Sequence, residues 1–284
     1  MVTASQLIAI FPTIPRANIS ESLEGIASCI KAGVKSEARL AVFLGQVGEE
    51  TYGLRFKEEI WGPTKQQLKY DPASGSRLSR NLGNVIKGDG YKYRGRGPFM
   101  LTGRGNYRRF GKMLNLPLEE NPDLVSDFSV GLRVALLYWL GKRRVLTSRG
   151  FVESVTGLEL SDRGDLYGAT RFVNGGLTGF DSRVRYTKRA LAVLRGADLS
   201  VPGVAHPINV EAITAKPQAT TKPSAVQPAR VVEFNGANYA GKIGEYPVVV
   251  QKRGQPVQRT LVVDARNMNH IRVGFQNQEA KNEW

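Results

Sequence analysis

The sequence predicts a mainly α-helical domain over residues 1–201, a proline-rich linker over 202–230 and a small β-rich module over 231–284. Three observations support this division. Apolar residues recur at helical spacing before residue 200, five prolines but no aromatic residues occur in the linker, and apolar residues alternate at strand spacing after residue 230. The length of 284 residues suits one medium domain followed by a small one.

Three helices are predicted in the first region. One begins near Ser36, and its apolar face consists of Leu40, Phe43, Leu44 and Val47. A second covers residues 130–140, and a third covers residues 183–194. The stretches 82–107 and 171–182 are rich in glycine, tyrosine and arginine. We expect them to be long loops with a functional role.

The β-rich module is predicted from three apolar segments separated by glycine-containing turns. These segments are residues 231–234, 246–250 and 260–263. A module of about 54 residues is near the lower size limit for a self-sufficient hydrophobic core. We therefore expect it to need a partner.

The supply of cysteine and histidine excludes several classes of hydrolase. Cys29 is the only cysteine, so no intrachain disulfide can form, and its apolar helical setting predicts a buried thiol. His206 and His270 are the only histidines, and both lie after residue 200. A zinc hydrolase or a Cys-His peptidase is therefore excluded in the helical region. A hydrolase located there must use carboxylates, and we expect neither a metal nor another cofactor.

The charge is strongly positive, at +15 for the whole chain and about +11 within residues 1–205. Such a field attracts nucleic acids, anionic membranes or anionic cell-wall polymers. No apolar run approaches the roughly 18 residues that span a bilayer, so we expect no stable membrane insertion. The N-terminus lacks the basic and apolar regions of a signal peptide, so work outside the cytoplasm requires another delivery route.

Two glutamate pairs are the candidate catalytic groups. Glu50 lies on the flank of the apolar face of the first predicted helix, where poor solvation favours the protonated form that a general acid needs. Glu49 points nearly opposite and is expected to be solvated. Gly53 can stop the helix and let Glu59 return across a cleft. Two carboxylates on opposite walls, with room for a water molecule, suit inverting glycoside hydrolysis. On pattern alone, a merely solvated acidic face stays the more common explanation.

Three ordered segments resemble motifs of glycoside hydrolase family 19. Residues 43–51 read FLGQVGEET, where the family pattern is F-x-G/A-Q-x-x-H-E-T/S. Residues 93–107 read YRGRGPFMLTGRGNY, which is similar to its Y-x-G-R-G-P/x-I-Q-L-T/S segment ending in N-Y. Residues 170–176 read TRFVNGG, which is similar to its T-R-x-I-N-G-G segment. The resemblance covers roughly residues 3–196.

This resemblance implies a two-lobed, lysozyme-like fold and metal-free hydrolysis of β-1,4 bonds in chitin or peptidoglycan, with inversion. It implies that Glu50 is the general acid and that Glu59 is the general base that activates water. The implied water- or sugar-binding positions are Thr102, Asn106, Tyr107, Asn174, Arg183 and Met100. Arg185 is an alternative to Arg183 as the arginine of the acid-base network.

Two positions depart from the family pattern. Glu49 stands where the family has histidine, and Met100 stands where it has glutamine. The second change replaces an amide that hydrogen-bonds to sugar by a thioether, which alters substrate choice or weakens catalysis. We expect Trp61 and Trp139 to be core residues rather than sugar platforms.

The sequence of the glycine-rich motif is most similar to that of the phage endolysin branch of the family. We therefore expect a peptidoglycan hydrolase that is made in the host cytoplasm and reaches the wall after holin-type release or as part of a virion. Residues 231–284 would then bind the wall or another phage protein, or would help the chain to oligomerise. A chitinase and a catalytically weak wall-binding or virion structural protein stay open as alternatives. An RNA-binding role for the Gly-Arg-Gly segment is disfavoured because it has too few repeats, so no nucleic-acid partner is expected.

Overall fold

The computed structural model describes residues 1–199 and the strand residues 231–234, 244–252, 255–263 and 272–274. Contacts divide the chain into two compact units. One consists of Met1–Thr147 and Val152–Ala215, and the other of Ser148–Phe151 and Lys216–Trp284. The predicted linker 202–230 lies outside the described residues, and the boundaries at 201 and 231 stay predictions.

The first unit is mainly helical. Its α-helices are α1 (Ala4–Ile10), α2 (Arg16–Lys31), α3 (Glu37–Glu50), α4 (Lys65–Leu68), α5 (Arg77–Asn81), α6 (Asp89–Lys92), α7 (Arg104–Leu114), α8 (Phe128–Leu140), α9 (Gly157–Asp162), α10 (Leu166–Asn174) and α11 (Phe180–Leu194). Short 3-10 helices cover Pro72–Ser74 and Pro122–Ser126. No helix within residues 1–199 is both long and apolar enough to cross a membrane.

Helix α3 lies at the centre of this unit, with every residue from 40 to 48 buried. It begins as predicted, because the Ser36 side chain accepts a hydrogen bond from the backbone of Arg39. Two glycines in its last turns let α11 pack closely against it. A Cβ on Gly45 would lie 2.0 Å from Thr187 Oγ1, and one on Gly48 would lie 2.8 Å from the Tyr186 ring. These glycines therefore set the approach of α11 to the helix that carries Glu50.

Helices α2 and α8 pack beside this pair. Trp139 of α8 is fully buried and contacts the rings of Phe43 and Phe172, which confirms its expected place in the core. The Cys29 thiol is also buried, as expected, and lies 3.5 Å from the carbonyl oxygen of Leu132. Burial raises the pKa of this thiol, so it behaves as an inert core group.

The stretch 82–107 is not one long loop as the sequence predicted, because it contains α6 and the start of α7. The two helices are tied by a buried ion pair. Arg104 Nε and Nη2 donate to the two carboxylate oxygens of Asp89 at 2.9 and 2.8 Å. Similarly, the stretch 171–182 begins inside α10 and ends inside α11. The prediction of long loops was wrong because glycine and arginine, which are common in loops, occur here within helices.

The strands form two separate sheets. In the first unit, β1 (Arg143–Leu146) and β2 (Val152–Val155) form an antiparallel hairpin that helical periodicity did not predict. The second unit contains β3 (Val231–Phe234), β4 (Gly244–Lys252), β5 (Gln255–Val263) and β6 (Arg272–Gly274). These four strands are antiparallel neighbours in chain order. The three predicted strand segments are therefore confirmed, and β6 is an addition.

Candidate active site

Glu50 is the last residue of α3 and forms an ion pair with α11. Arg183 Nη2 donates to Glu50 Oε1 at 2.5 Å, and Arg183 Nη1 donates to Gln46 Oε1 at 2.8 Å. The Arg183 side chain is only 2% exposed, whereas that of Glu50 is 21% exposed. Glu50 therefore contacts a buried cation, a partner that the apolar face of the helix did not indicate. Arg185 is exposed, so Arg183 is the arginine that contacts the predicted acid.

The chain leaves α3 through a turn of three residues with left-handed backbone conformation. Tyr52, Gly53 and Leu54 have φ angles of 52°, 73° and 61°. This conformation costs roughly 1–2 kcal/mol for each residue other than glycine. The Thr51 hydroxyl offsets part of this cost by accepting a hydrogen bond from the Leu54 backbone at 2.8 Å. The predicted helix stop near Gly53 is confirmed, and the turn redirects the chain toward Glu59.

Glu59 lies on a short extended segment that pairs with the glycine-rich motif. The backbone amide of Glu59 donates to the carbonyl oxygen of Gly95 at 2.8 Å. In return, the amide of Gly95 donates to Glu59 Oε2 at 3.1 Å, and Gln67 Nε2 donates to Glu59 Oε1 at 3.0 Å. The Tyr70 hydroxyl lies 3.5 Å from the same Oε1 atom. Burial, and then the negative charge of Glu59, raise the pKa of Tyr70, so this hydroxyl stays a donor.

Tyr107 supports the glycine-rich motif from the protein interior and does not contact solvent. Its side chain is fully buried, so its predicted place on a sugar-binding surface is wrong. Its hydroxyl donates to the Arg94 carbonyl at 2.8 Å and accepts from Arg96 Nη1 at 3.1 Å. Burial raises the pKa of Tyr107 to about 12. The buried Arg96 also binds Asp123 at 2.7 Å, which fixes the motif that holds Gly95.

Three further predicted residues surround the same motif. A Cβ on Gly95 would lie 3.3 Å from both Met100 Sδ and Thr102 Oγ1, so these side chains sit beside the glycine that binds Glu59. The Thr102 hydroxyl donates to the Met100 carbonyl at 2.8 Å, which leaves its oxygen free to accept. Asn106 Nδ2 donates to the Thr102 carbonyl at 2.7 Å. The structure thus brings Met100, Thr102 and Asn106 together on the Glu59 side.

Asn174 lies on α10, and Glu49 lies on α3 beside Glu50. Asn174 is exposed at the end of α10, immediately before the left-handed Gly175. Glu49 is half-buried rather than solvated, because a Cβ on Gly179 would lie 2.1 Å from its Oε1 atom. Burial and the nearby Glu49 charge raise the pKa of Tyr186. Glu49 therefore packs on the backbone that begins α11, close to the helix that supplies Arg183.

A pocket of about 320 Å³ opens beside Glu59. Its walls are Arg55, Phe56, Lys57, Glu58, Glu59, Ile60, Trp61, Tyr91 and Arg94. Trp61 is half-buried here and packs against Tyr91 with ring centroids 5.4 Å apart, so its expected place in the core is wrong. A larger pocket of about 620 Å³, lined by residues of α2, the start of α3 and residues 197–199, includes neither predicted catalytic glutamate.

The sequence analysis assigned no role to Gln46, which binds the arginine that contacts Glu50. It also assigned none to Gln67 and Tyr70, which bind Glu59. Gln46 stands within the quoted helix motif, but nothing in its spacing indicated an arginine partner. Gln67 gave one signal, the Thr64-x-x-Gln67 capping box that begins α4. Within residues 1–199 and the described strands, no cluster of three histidine, cysteine or acidic side chains is placed to hold a metal ion.

The chain is similar to known glycosidases over most of its helical unit. Residues 17–157 match a family model described as glycosyl hydrolase family 19, chitinase class I. A glycosyl hydrolase family 19 domain-containing protein of Haemophilus influenzae is 34% identical over 184 residues, which cover 57% of this chain and 83% of that protein. An acidic endochitinase of Petunia hybrida is 29% identical over 56% of this chain and 62% of its own length.

Among solved structures, chitinase C from Streptomyces griseus HUT6037 shares the fold. It superposes with a TM-score of 0.51 and 21% identity, covering 68% of this chain and 76% of that chain. The mainly α-helical, lysozyme-like fold class is therefore confirmed. The extent of the match to the Haemophilus protein establishes the relationship that the three motifs implied. The chain belongs to glycoside hydrolase family 19 and is a chitinase-like glycoside hydrolase.

Proposed function

We propose that the helical unit hydrolyses the β-1,4 bonds between amino sugars of bacterial peptidoglycan, with Glu50 as general acid and Glu59 as general base. The observation that carries the proposal is the separate fixation of the two carboxyl groups. Glu50 is held by Arg183, whereas Glu59 is held by Gly95 and Gln67. Two carboxyl groups in different environments suit two different proton-transfer roles.

The reaction would proceed by a single displacement. Glu50 donates its proton to the glycosidic oxygen, which leaves with the bonding electron pair as the sugar hydroxyl group. A water molecule attacks the anomeric carbon from the opposite face and gives a proton to Glu59. Thr102 would hold this water, because its hydroxyl proton is already donated to the Met100 carbonyl and its oxygen can accept. The new reducing end carries the inverted anomer.

Peptidoglycan is favoured over chitin by charge. Residues 1–205 carry about +11, and peptidoglycan bears carboxylates that N-acetylated chitin lacks. A chitinase is the second candidate, because the matched family model and the petunia relative are both named for chitinases. Hydrolysis of chitin oligosaccharides with no release of products from bacterial walls would select this second candidate.

The test compares the full chain with Glu50→Gln, Glu59→Gln and a control, Glu120→Gln, on purified walls stripped of outer membrane. Glu120 is an exposed glutamate outside both networks. We expect the wild type and the control to release disaccharide muropeptides with hydrated reducing ends, and both catalytic variants to release none. Cut peptide bonds with intact glycan would refute the proposal. Tight wall binding without any cleavage would indicate a wall-binding or structural protein.

We also propose that the chain is made in a phage-infected bacterium and reaches the wall through a holin-type lesion or within a virion. The resemblance of the glycine-rich motif to endolysin sequences supports delivery by a phage. Residues 231–284 would then attach the enzyme to the wall or to another phage protein. Expression in bacteria with and without a holin tests the route, since lysis should require the holin. Lysis without a holin would contradict the holin route, and detection of the chain in purified virions would select the virion route.

A further inference from the structure

The pocket beside Glu59 combines an aromatic wall with cationic side chains. Trp61 and Tyr91 pack edge to face, and Phe56 contributes a third ring. Arg55, Lys57 and Arg94 are its cations. Any group that enters this pocket lies next to the predicted base, on the segment that links it to the predicted acid.

The three cationic side chains differ in whether they already form an ion pair with a carboxylate. Lys57 forms an ion pair with Glu21, and Arg94 forms one with Glu58 at 2.9 Å. Arg55 is exposed, lies 5.9 Å from the centre of the Phe56 ring and forms no ion pair within residues 1–199. Arg55 therefore supplies the free positive charge of the pocket.

The backbone at Arg55 is fixed rather than freely moving. Its amide and that of Phe56 both donate to the Thr51 carbonyl at 3.0 Å, directly after the left-handed turn. The side chain thus starts from a defined point, five residues after Glu50 and four before Glu59. A guanidinium placed in this way binds carboxylates through two parallel hydrogen bonds.

We propose that this pocket, here named the Arg55 pocket, binds the carboxylate-bearing peptide stem of peptidoglycan. The sugars next to that stem would then lie against Glu50 and Glu59. The inference rests on the proposed function and specifies which part of the substrate the enzyme recognises. Arg55 binds a stem carboxylate, and the rings of Phe56, Trp61 and Tyr91 pack against the alanine methyl groups of the stem. The pocket volume of about 320 Å³ admits part of such a peptide.

The test measures kcat/KM of the full chain on intact walls and on glycan strands whose stems have been removed by an amidase. The variants are Arg55→Gln, Arg55→Lys and the control Arg109→Gln. Arg109 is also exposed and lies 5.7 Å from a neighbouring phenylalanine ring, but it is outside the pocket. We expect Arg55→Gln to lower the preference for stem-bearing over stem-free substrate about tenfold, an amount typical of one charged hydrogen bond.

Arg55→Lys should recover part of the preference, and added salt should weaken the preference of the wild type because an exposed charge is screened. Equal behaviour of Arg55→Gln and Arg109→Gln on intact walls would overturn the inference. Binding of soluble stem-bearing and stem-free glycan fragments, measured by calorimetry on the full chain, separates it from the proposed function. A stem preference that depends on Arg55 in a chain that cleaves neither substrate would refute the hydrolysis and retain the pocket.

Discussion

Replacing Arg183 by methionine is expected to lower the free energy of unfolding of the helical unit by about 3 kcal/mol. Methionine keeps much of the aliphatic volume but removes the guanidinium, whose Nη1 and Nη2 donate to Gln46 and Glu50 and whose Nε makes a longer bond of 3.4 Å to the Thr178 carbonyl. The hydrogen bond to Gln46 contributes about 1 kcal/mol, and the charged one to Glu50 contributes about 2 kcal/mol. The second value is at the lower part of its range because Glu50 is 21% exposed. Activity should fall at least about tenfold, because Glu50 loses the group that orients it.

The assay is urea denaturation of the full chain followed by tryptophan fluorescence. A Trp284→Phe background limits the signal to Trp61 and Trp139, which both lie in the helical unit. With a slope of about 3 kcal/mol per molar urea, the midpoint should move by about 1 M. Arg185→Met is the matched control, since this exposed arginine lies on the same helix. A midpoint for Arg183→Met that coincides with the control would refute the assigned contacts.

Three further outcomes are expected. Tyr107→Phe should lower kcat severalfold and the free energy of unfolding by about 1–3 kcal/mol, because the Arg94 carbonyl and the Arg96 guanidinium each lose a hydrogen-bond partner. Kinetics unchanged from the wild type would contradict this role. Burial alone would raise the pKa of Asp89, but hydrogen bonds from Arg104 and backbone amides bring it below its usual range. Its contribution to stability is therefore present above the ordinary aspartate pKa and lost as the pH falls through the folded value. In urea titrations the stability gap between wild type and Asp89→Asn should therefore be constant above about pH 5 and should narrow as the pH falls below about 4. A gap that stays constant at low pH would count against the ion pair. Gly45→Ala should destabilise the fold by at least about 2 kcal/mol in thermal melts, because its Cβ would lie 2.0 Å from Thr187 Oγ1; an unchanged melting temperature would show that α11 can shift at little cost.

Periodicity was sufficient to predict the helix that carries Glu50. The Ser36 cap and the apolar face located α3, and Gly53 marked the turn that follows it. These features depend on local backbone preference and on burial of one helix face, so neighbouring residues determine them. The contact of α3 with α11 was not predicted, although Gly45 and Gly48 mark the face on which it occurs.

Features that depend on contacts between residues far apart in the sequence could not be predicted from local pattern. Family resemblance implied a water- or sugar-binding role for Tyr107, whereas the Tyr107 ring is fully buried and its hydroxyl is bound by Arg96. The partners of Glu59 were missed because Gln67 and Tyr70 belong to a segment without periodic apolar residues. The role of Arg183 came from family resemblance, since a salt bridge between two helices leaves no local pattern.

The Glu50–Arg183 pair joins residues that are 133 positions apart in the sequence. While the chain is being synthesised, α3 leaves the ribosome long before α11 does, and the nascent acid has no guanidinium to orient it. Contacts of such separation form late, because a long loop must close before they contribute any energy. We therefore expect the Glu50–Arg183 contact to form late in the folding of the helical unit. A premature stop between residues 60 and 183 yields a chain that contains both glutamates but lacks the arginine that binds the first of them.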